Sequence, residues 1–309
     1  MNERKRHPIG DGTDELLACA RVGHGSPANG FSIPSAWMRA VISSIFALAI
    51  LLSGIRALLW AAPCAAPDPE RRETGVNECL VYRIYRSAAV ESNPNLVIVL
   101  HGDVSSGGPA IYHRKIAESI ARDSRAGNLV VAALVRPGYE DSDGEKSTGS
   151  HNNRSDHYTA ENIDEVAAVV GKLRDRLQAS SVTLLGHSGG AALSGVIIGR
   201  HPTLAGGAAL VACPCNVPAW RSGRRGGRPW SRSESPHWWA DKVAVTTQVI
   251  ALIGSRDDNT SPALGQDYVQ SLVKRGIKAR FELIADAEHD PAFRSARVVD
   301  AVFEVLGAN

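Results

Sequence analysis

The chain has 309 residues, of which 44% are hydrophobic and 21% are charged. This composition is that of a globular protein with a large core, and it excludes disorder along the whole length. The 34 Lys and Arg residues nearly balance the 32 Asp and Glu residues, so the formal net charge is only +2. We therefore expect no nucleic acid partner, because a polyanion-binding protein usually carries a large positive excess.

The N-terminal 77 residues differ in character from the rest. Residues 1–37 are rich in Gly, Pro, Asn and charge, which indicates a disordered extension or a start assigned upstream of the true one at Met38. Residues 38–66 combine a basic start, an uncharged apolar stretch and a small-residue end, as is typical of a signal peptide. A retained membrane anchor over 38–62 is the alternative. We expect an exported protein, periplasmic or secreted, or one anchored to the membrane, with a linker at 67–77.

The five cysteines, at positions 19, 64, 79, 213 and 215, match no zinc-binding spacing. In an exported protein, Cys79 could form a disulfide with Cys213 or with Cys215, which would leave one thiol free. The cysteines could equally be small buried side chains at strand ends. The sequence leaves both interpretations open.

Strand-like and helical patterns alternate beyond residue 77. Apolar runs predict seven strands, at Leu80–Tyr85, Leu96–Leu100, Leu129–Val135, Val182–Leu185, Gly207–Val211, Val249–Ile253 and Phe281–Ile284. Apolar residues at helical spacing predict helices at Ala110–Arg122, Thr159–Leu177, Ala191–Gly199, Pro262–Arg275 and Ala292–Leu306. This alternation predicts an α/β fold with a mostly parallel central sheet and helices on both faces, in which Leu80–Tyr85 is an edge strand.

One of these strands ends in the pattern of a catalytic nucleophile. Val182–Leu185 leads into Gly186-His187-Ser188-Gly189-Gly190, and Gly-x-Ser-x-Gly at such a position is typical of a tight turn between a strand and a helix. The turn exposes the Ser188 hydroxyl and directs the N-terminus of the following helix toward negative charge that develops there. We interpret Ser188 as a nucleophile and His187 as a residue that lines its site.

A serine nucleophile needs a base, and the base needs an acid that orients it. His289 follows the last predicted strand and is the candidate base. Asp257 and Asp258 follow the preceding strand, and one of them could instead cap the helix near Pro262. The chain order Ser188, Asp257, His289 is the order found in α/β-hydrolases.

A third strand end supplies a candidate oxyanion hole. In Leu100-His101-Gly102-Asp103, the glycine lets the backbone approach a developing negative charge. We predict that the backbone N–H groups of Asp103 and Gly189 are the two donors.

With these motifs, residues 78 to about 307 resemble the α/β-hydrolases, and in particular the prolyl-oligopeptidase and dienelactone-hydrolase-like families. The resemblance implies an α/β-hydrolase fold over 78–309 and, from the first Asp of Asp257-Asp258-Asn259, Asp257 as the acid. It implies no metal and no organic cofactor. The chain carries no N-terminal propeller of the kind that restricts oligopeptidases to short peptides, which counts against peptidase activity.

Residues 213–241 interrupt the alternation and predict a short cap insertion over the site. This segment holds four of the six tryptophans, including Trp220 and Trp230, and five arginines, which could bind an acyl chain, an aromatic ester or an anionic substrate. A mobile Gly-rich loop is the alternative. The residues that we expect to contact substrate are His101, Arg136, Tyr158, His187 and Trp220.

Together these patterns predict a serine hydrolase that forms an acyl-enzyme on a small-molecule ester. Hydrolysis of a short peptide or amide by the same triad is the first alternative, and a non-catalytic binding protein is the second. The sequence does not specify the oligomeric state.

Overall fold

The structure is a computed structural model that describes residues 64–66, 68–142, 144–224 and 226–307. The predictions for the N-terminal extension and for most of the signal or anchor segment lie outside these residues. Within the described part of the chain, no helix combines the length and the apolar character needed to span a membrane.

Eight strands form one sheet in the order β1-β2-β4-β3-β5-β6-β7-β8. They are β1 (Arg72–Thr74), β2 (Cys79–Arg86), β3 (Asn95–Leu100), β4 (Leu129–Leu134), β5 (Ser181–His187), β6 (Gly207–Val211), β7 (Gln248–Gly254) and β8 (Lys278–Ile284). Strands β3 to β8 are parallel, whereas β1 and β2 pair antiparallel. The prediction of a mostly parallel sheet is therefore confirmed.

Strand β1 corrects the predictions of a linker at 67–77 and of an edge position for β2. Residues 67–77 were expected to be a linker, but Arg72–Thr74 within them pairs with β2. As a result β2 lies inside the sheet and not at its edge. A strand of three residues is too short to show a periodic pattern, which is why the sequence did not reveal it.

Helices cover both faces of the sheet. They are α1 (His113–Arg122), α2 (Ala160–Leu177), α3 (Gly189–Arg200), α4 (Val217–Gly223), α5 (Pro236–Trp239), α6 (Pro262–Val273), α7 (His289–Phe293) and α8 (Ala296–Leu306). Side chains of α2, α3 and α6 pack on one face, and those of α1 and α8 on the other. The predicted helix at 292–306 is divided, because the Ser295 side chain accepts a hydrogen bond from the Arg297 N–H and starts α8 there.

The cysteine pairing differs from the expected one. Cys79 forms a disulfide with Cys64, and Cys213 forms one with Cys215. Cys79 begins β2, whereas Cys213 follows β6, four strand positions away in the sheet. Neighbouring strands lie about 4.8 Å apart, and the Cα atoms of a disulfide are rarely more than about 7 Å apart. A bridge between Cys79 and either of the later cysteines is therefore incompatible with this strand order.

The strand order also determines where a ligand can bind. From β3 the chain moves to β4 on one side of the sheet and later to β5 on the other side. Such a switch opens a crevice beyond the carboxyl ends of the two strands. His101–Asp103 follows β3 and Ser188 follows β5, so both candidate motifs lie at this crevice.

Candidate active site

Ser188 occupies the turn between β5 and α3 in a strained backbone conformation. Its φ is 51° and its ψ is −118°, a region that residues with a side chain rarely adopt. The Ser188 N–H donates a hydrogen bond to the Val211 carbonyl oxygen at 2.8 Å, which ties the turn to β6. The surrounding contacts therefore hold the serine where it lines the crevice.

The glycines of the motif allow this turn to pack closely. A Cβ atom on Gly186 would overlap the backbone of Gly190 and Ala191, and one on Gly190 would overlap the carbonyl oxygen of Leu100. The start of α3 consequently lies directly against the end of β3. This contact brings the two candidate halves of the oxyanion hole together.

His289 and Asp257 come together although they are on different loops. The Asp257 Oδ2 atom lies 2.8 Å from His289 Nδ1. The other carboxylate oxygen of Asp257 accepts hydrogen bonds from the N–H groups of Asn259 and Thr260, at 3.0 and 2.8 Å. Asp258, the competing acid, is exposed and makes no such contact with the histidine. With Nδ1 engaged by Asp257, the Nε2 atom of His289 is the one left for proton transfer.

Ser188 and His289 line the same cleft, which has a volume of about 750 Å³. No hydrogen bond joins the serine hydroxyl to the His289 ring in the described structure. Such a bond is often long without substrate and shortens when substrate binds. The arrangement is that of a nucleophile and a base that share one cavity.

Two backbone N–H groups are available to bind an oxyanion. Gly189 is the first residue of α3, so its N–H has no acceptor within the helix. The N–H of Asp103 donates to no other described residue. By contrast, the Gly102 N–H donates to the Tyr112 hydroxyl at 2.5 Å. The free donors are thus those of Asp103 and Gly189, both beside Ser188.

The Asp103 side chain belongs to a buried polar cluster below these donors. Its carboxylate accepts hydrogen bonds from the Tyr158 hydroxyl at 2.6 Å and from Arg136 at 3.1 Å. Burial alone would raise the pKa of Asp103, but its contacts with His157, Arg136 and Tyr158 hold that pKa below its ordinary value. Asp103 is therefore an ionised carboxylate neutralised by a buried guanidinium.

This cluster corrects three expected substrate contacts. Arg136, Tyr158 and His101 are at most 1% exposed, and none of them lines the cleft. The Arg136 guanidinium donates to the His101 carbonyl oxygen, and its backbone N–H donates to His101 Nε2 at 3.0 Å. These side chains support the loop that carries Asp103. Because they are buried and do not line the cleft, we do not expect them to contact a substrate.

The other two expected contacts, His187 and Trp220, do line the cleft. His187 is held by Tyr112, whose hydroxyl lies 2.7 Å from His187 Nδ1, and by stacking on Phe293 with ring centroids 4.7 Å apart. Burial and the nearby His289 lower the pKa of His187 to about 3, so this ring is neutral. Sequence patterns did not identify Tyr112, since its partners are 10 and 75 residues away.

His187, His289 and Asp290 could bring three ligand atoms within 4.8 Å of one another. However, both ring nitrogens of His187 already have partners, Tyr112 and the His289 carbonyl oxygen, and His289 Nδ1 is occupied by Asp257. These contacts suit a hydrogen-bonded catalytic site better than a metal site.

The cap segment closes one side of the cleft. Trp220 of α4 donates from Nε1 to the Asn259 carbonyl oxygen at 2.9 Å, which docks α4 on the loop of Asp257. Trp230 packs edge-on against Trp220 with ring centroids 5.2 Å apart. Arg154, Arg221 and Arg224 also line the cleft on this side.

No protein-family model and no curated protein sequence matches the chain. Solved structures do match it in fold. Est1E from Butyrivibrio proteoclasticus with ferulic acid bound has a TM-score of 0.59 at 15% identity, over 76% of this chain and 97% of that one. The Pyrococcus furiosus esterase Pf2001 has a TM-score of 0.57 at 18% identity, over 77% and 90%.

The acylaminoacyl peptidase of Pyrococcus horikoshii has a TM-score of 0.58 at 12% identity, over 76% of this chain but only 40% of the peptidase. These structural neighbours are α/β serine hydrolases. The chain therefore has the α/β-hydrolase fold, as its motifs predicted.

Proposed function

We propose that the protein is a serine hydrolase in which Ser188, His289 and Asp257 form the catalytic triad. The observation that carries this proposal is the joint placement at one cleft of a strained serine turn, an Asp-oriented histidine and two free backbone donors. The similarity in fold to esterases and to a peptidase supports the same class of reaction.

In the proposed reaction, the Ser188 hydroxyl attacks the substrate carbonyl carbon while His289 Nε2 takes its proton. The tetrahedral oxyanion accepts hydrogen bonds from the N–H groups of Asp103 and Gly189. His289 then donates the proton to the leaving group, which departs and leaves an acyl-enzyme on Ser188. Water, deprotonated by His289, hydrolyses this ester, and Asp257 stabilises the imidazolium in both steps.

A fluorophosphonate probe tests the nucleophile directly. We expect covalent labelling of the wild-type protein at Ser188 and none of the Ser188→Ala variant. The control is Ser194→Ala, since Ser194 is a buried serine of α3 whose hydroxyl donates to the Gly190 carbonyl oxygen. Labelling that persists in Ser188→Ala, or a folded wild-type protein that is never labelled, would overturn the proposal.

An ester is the proposed substrate, and two of the three neighbours above are consistent with it through their names or bound ligand. The second candidate is an amide or short peptide, which the peptidase neighbour favours. Comparing p-nitrophenyl butyrate with alanine p-nitroanilide separates them by kcat/KM. Faster turnover of the anilide would favour the peptidase alternative.

We also propose that the protein works outside the cytoplasm, anchored or released. Its two disulfides support this location, because such bonds persist mainly in oxidising compartments. The bridge to Cys64 would require any cleavage of a signal peptide to occur before that residue and not after Ala66.

A further inference from the structure

Several arginines line the cleft. Most arginines of the described chain form an ion pair, such as Arg200 with Asp164 and Arg297 with Glu282. Arg154, Arg221 and Arg224 line the cleft, and none of them forms an ion pair with a described residue. The proposed substrate-binding cleft is thus lined by three guanidinium groups that have no described carboxylate partner.

Two of these arginines lie together on the cap. The Arg221 guanidinium lies 4.8 Å from the Trp230 ring centroid and 5.3 Å from that of Trp220, and the Arg224 guanidinium lies 5.4 Å from the Trp220 centroid. Burial and the like charge of Arg224 lower the pKa of Arg221. Since two cations held this close repel each other, a bound anion would stabilise the arrangement.

Existing hydrogen bonds orient both side chains without using all of their donors. Arg221 Nε donates to the Arg228 carbonyl oxygen at 3.1 Å, and Arg224 Nη1 donates to Asn259 Oδ1. The terminal nitrogens of Arg221 make no hydrogen bond with a described residue. A planar guanidinium with free terminal donors suits a carboxylate, which accepts two parallel hydrogen bonds.

The arginine pair is joined to the triad through one short loop. Asn259 accepts from Trp220 and Arg224, and its own N–H donates to the catalytic candidate Asp257. An anion held by Arg221 and Arg224 would therefore lie in the same cleft as Ser188. Trp220 and Trp230 would contact the apolar part of the same molecule.

We propose that Arg221 and Arg224 form a carboxylate subsite, so that the preferred substrate is an ester that carries a second, ionised carboxyl group. This inference rests on the proposed hydrolase function and specifies the substrate class for it. The exposed carboxylates that line the cleft, Asp258, Glu288 and Asp290, belong to the acid and base loops and form no ion pair with the arginine pair among the described residues.

Two matched substrate pairs test this subsite, one with the carboxylate on each side of the ester. The pairs are p-nitrophenyl hemiglutarate against p-nitrophenyl valerate, and 4-acetoxybenzoate against its methyl ester. We expect a KM at least about tenfold lower for the anionic member of one pair, because a hydrogen bond between a guanidinium and a carboxylate is stronger than one between neutral groups. We also expect 0.5 M NaCl to reduce that preference.

The Arg221→Gln and Arg224→Gln variants should lose most of the preference for the anionic ester, whereas lysine at either position should restore part of it. The matched control is Arg122→Gln, because Arg122 is exposed at the end of α1 and pairs with Glu118. It should keep the preference of the wild type. Equal KM values within both pairs, or a preference unchanged in both Gln variants, would overturn the subsite.

A binding measurement separates failure of the subsite from failure of the hydrolase proposal. In the Ser188→Ala protein, tryptophan fluorescence titrations should show that the anionic member of at least one of the two pairs binds at least about tenfold more tightly than its neutral partner. A wild-type protein that the fluorophosphonate labels but that shows no such difference would refute the subsite alone. A protein that binds the anion but is never labelled would refute the hydrolase and retain the subsite.

Discussion

Asp103 has two distinct relations to the candidate oxyanion hole. Its backbone N–H is free beside Ser188, while its carboxylate packs under Gly189, where an added Cβ would overlap it. A buried negative charge so near an oxyanion would be unfavourable without compensation. The Arg136 guanidinium supplies that compensation, and Tyr158 fixes the second carboxylate oxygen. We therefore expect both residues to act through Asp103 and not through contact with the substrate.

Replacing Tyr158 by Phe tests this division of roles. The variant loses the hydrogen bond to Asp103, and we expect the free energy of unfolding to fall by about 1–3 kcal/mol. Since Tyr158 is fully buried, KM should change less than about twofold, while kcat falls if the Asp103 N–H moves. Urea unfolding and steady-state kinetics measure these effects.

The matched control is Tyr268→Phe, because Tyr268 is equally buried and its hydroxyl makes only a 3.3 Å hydrogen bond to the Gly195 carbonyl oxygen. A large rise in KM at unchanged kcat for Tyr158→Phe would instead indicate that Tyr158 contacts the substrate.

At the scale of elements, the two disulfides differ in what they join. Cys64–Cys79 attaches the segment before β1 to the start of β2, with a sequence separation of 15. Cys213–Cys215 only tightens the turn after β6. The first bridge restricts the unfolded chain far more than the second.

Replacing both Cys64 and Cys79 by Ala should lower the free energy of unfolding by about 3 kcal/mol, the chain-entropy value for a loop of this length. A bridge from Cys79 to Cys213 or Cys215 would close a loop of more than a hundred residues and contribute about 5 kcal/mol. Urea unfolding of the oxidised proteins measures the difference. A peptide map without reductant that links Cys79 to either later cysteine would contradict the pairing.

At the scale of the whole molecule, several buried histidines make stability depend on pH. Burial lowers the pKa of His113 and of His187 to about 3, and it lowers that of His101 well below its ordinary value. Unfolded, each would have a pKa of about 6.5. Between these pKa values the unfolded chain binds more protons than the folded one. The histidines therefore do not lower the free energy of unfolding above about pH 6.5, and they lower it progressively as the pH falls below that value.

We expect each such histidine to reduce the free energy of unfolding by about 1.4 kcal/mol per pH unit below pH 6.5. Replacing His113 by Leu should remove one histidine's share of that slope. The control is His201→Gln, because His201 is partly exposed beside Asp164. Urea unfolding at pH 7, 6 and 5 measures the slopes, and equal slopes for wild type and His113→Leu would contradict this account.

Much of the fold could be predicted from the sequence because its signals are local. The apolar runs of β3, β4 and β5 and the helical spacing of α2 repeat within a few residues. The three-residue strand β1 and the break between α7 and α8 have no such repeat, so the sequence did not reveal them. In the site, the sequence named Ser188, Asp257 and His289 from their positions after strands, and the structure brings Asp257 and His289 into contact.

Local patterns in the sequence by themselves determined the α/β-hydrolase fold, since each strand and helix carries its own periodicity and the Gly-x-Ser-x-Gly turn needs no distant partner to be recognised. Only the tertiary structure decided which cysteines pair, that Arg136 and Tyr158 contact Asp103, and that Arg221 and Arg224 line the cleft without an ion pair to any described residue. The physical reason is that strand order sets these distances. Residues four strands apart cannot meet, while Arg136 and Asp103, 33 residues apart in the chain, lie in contact.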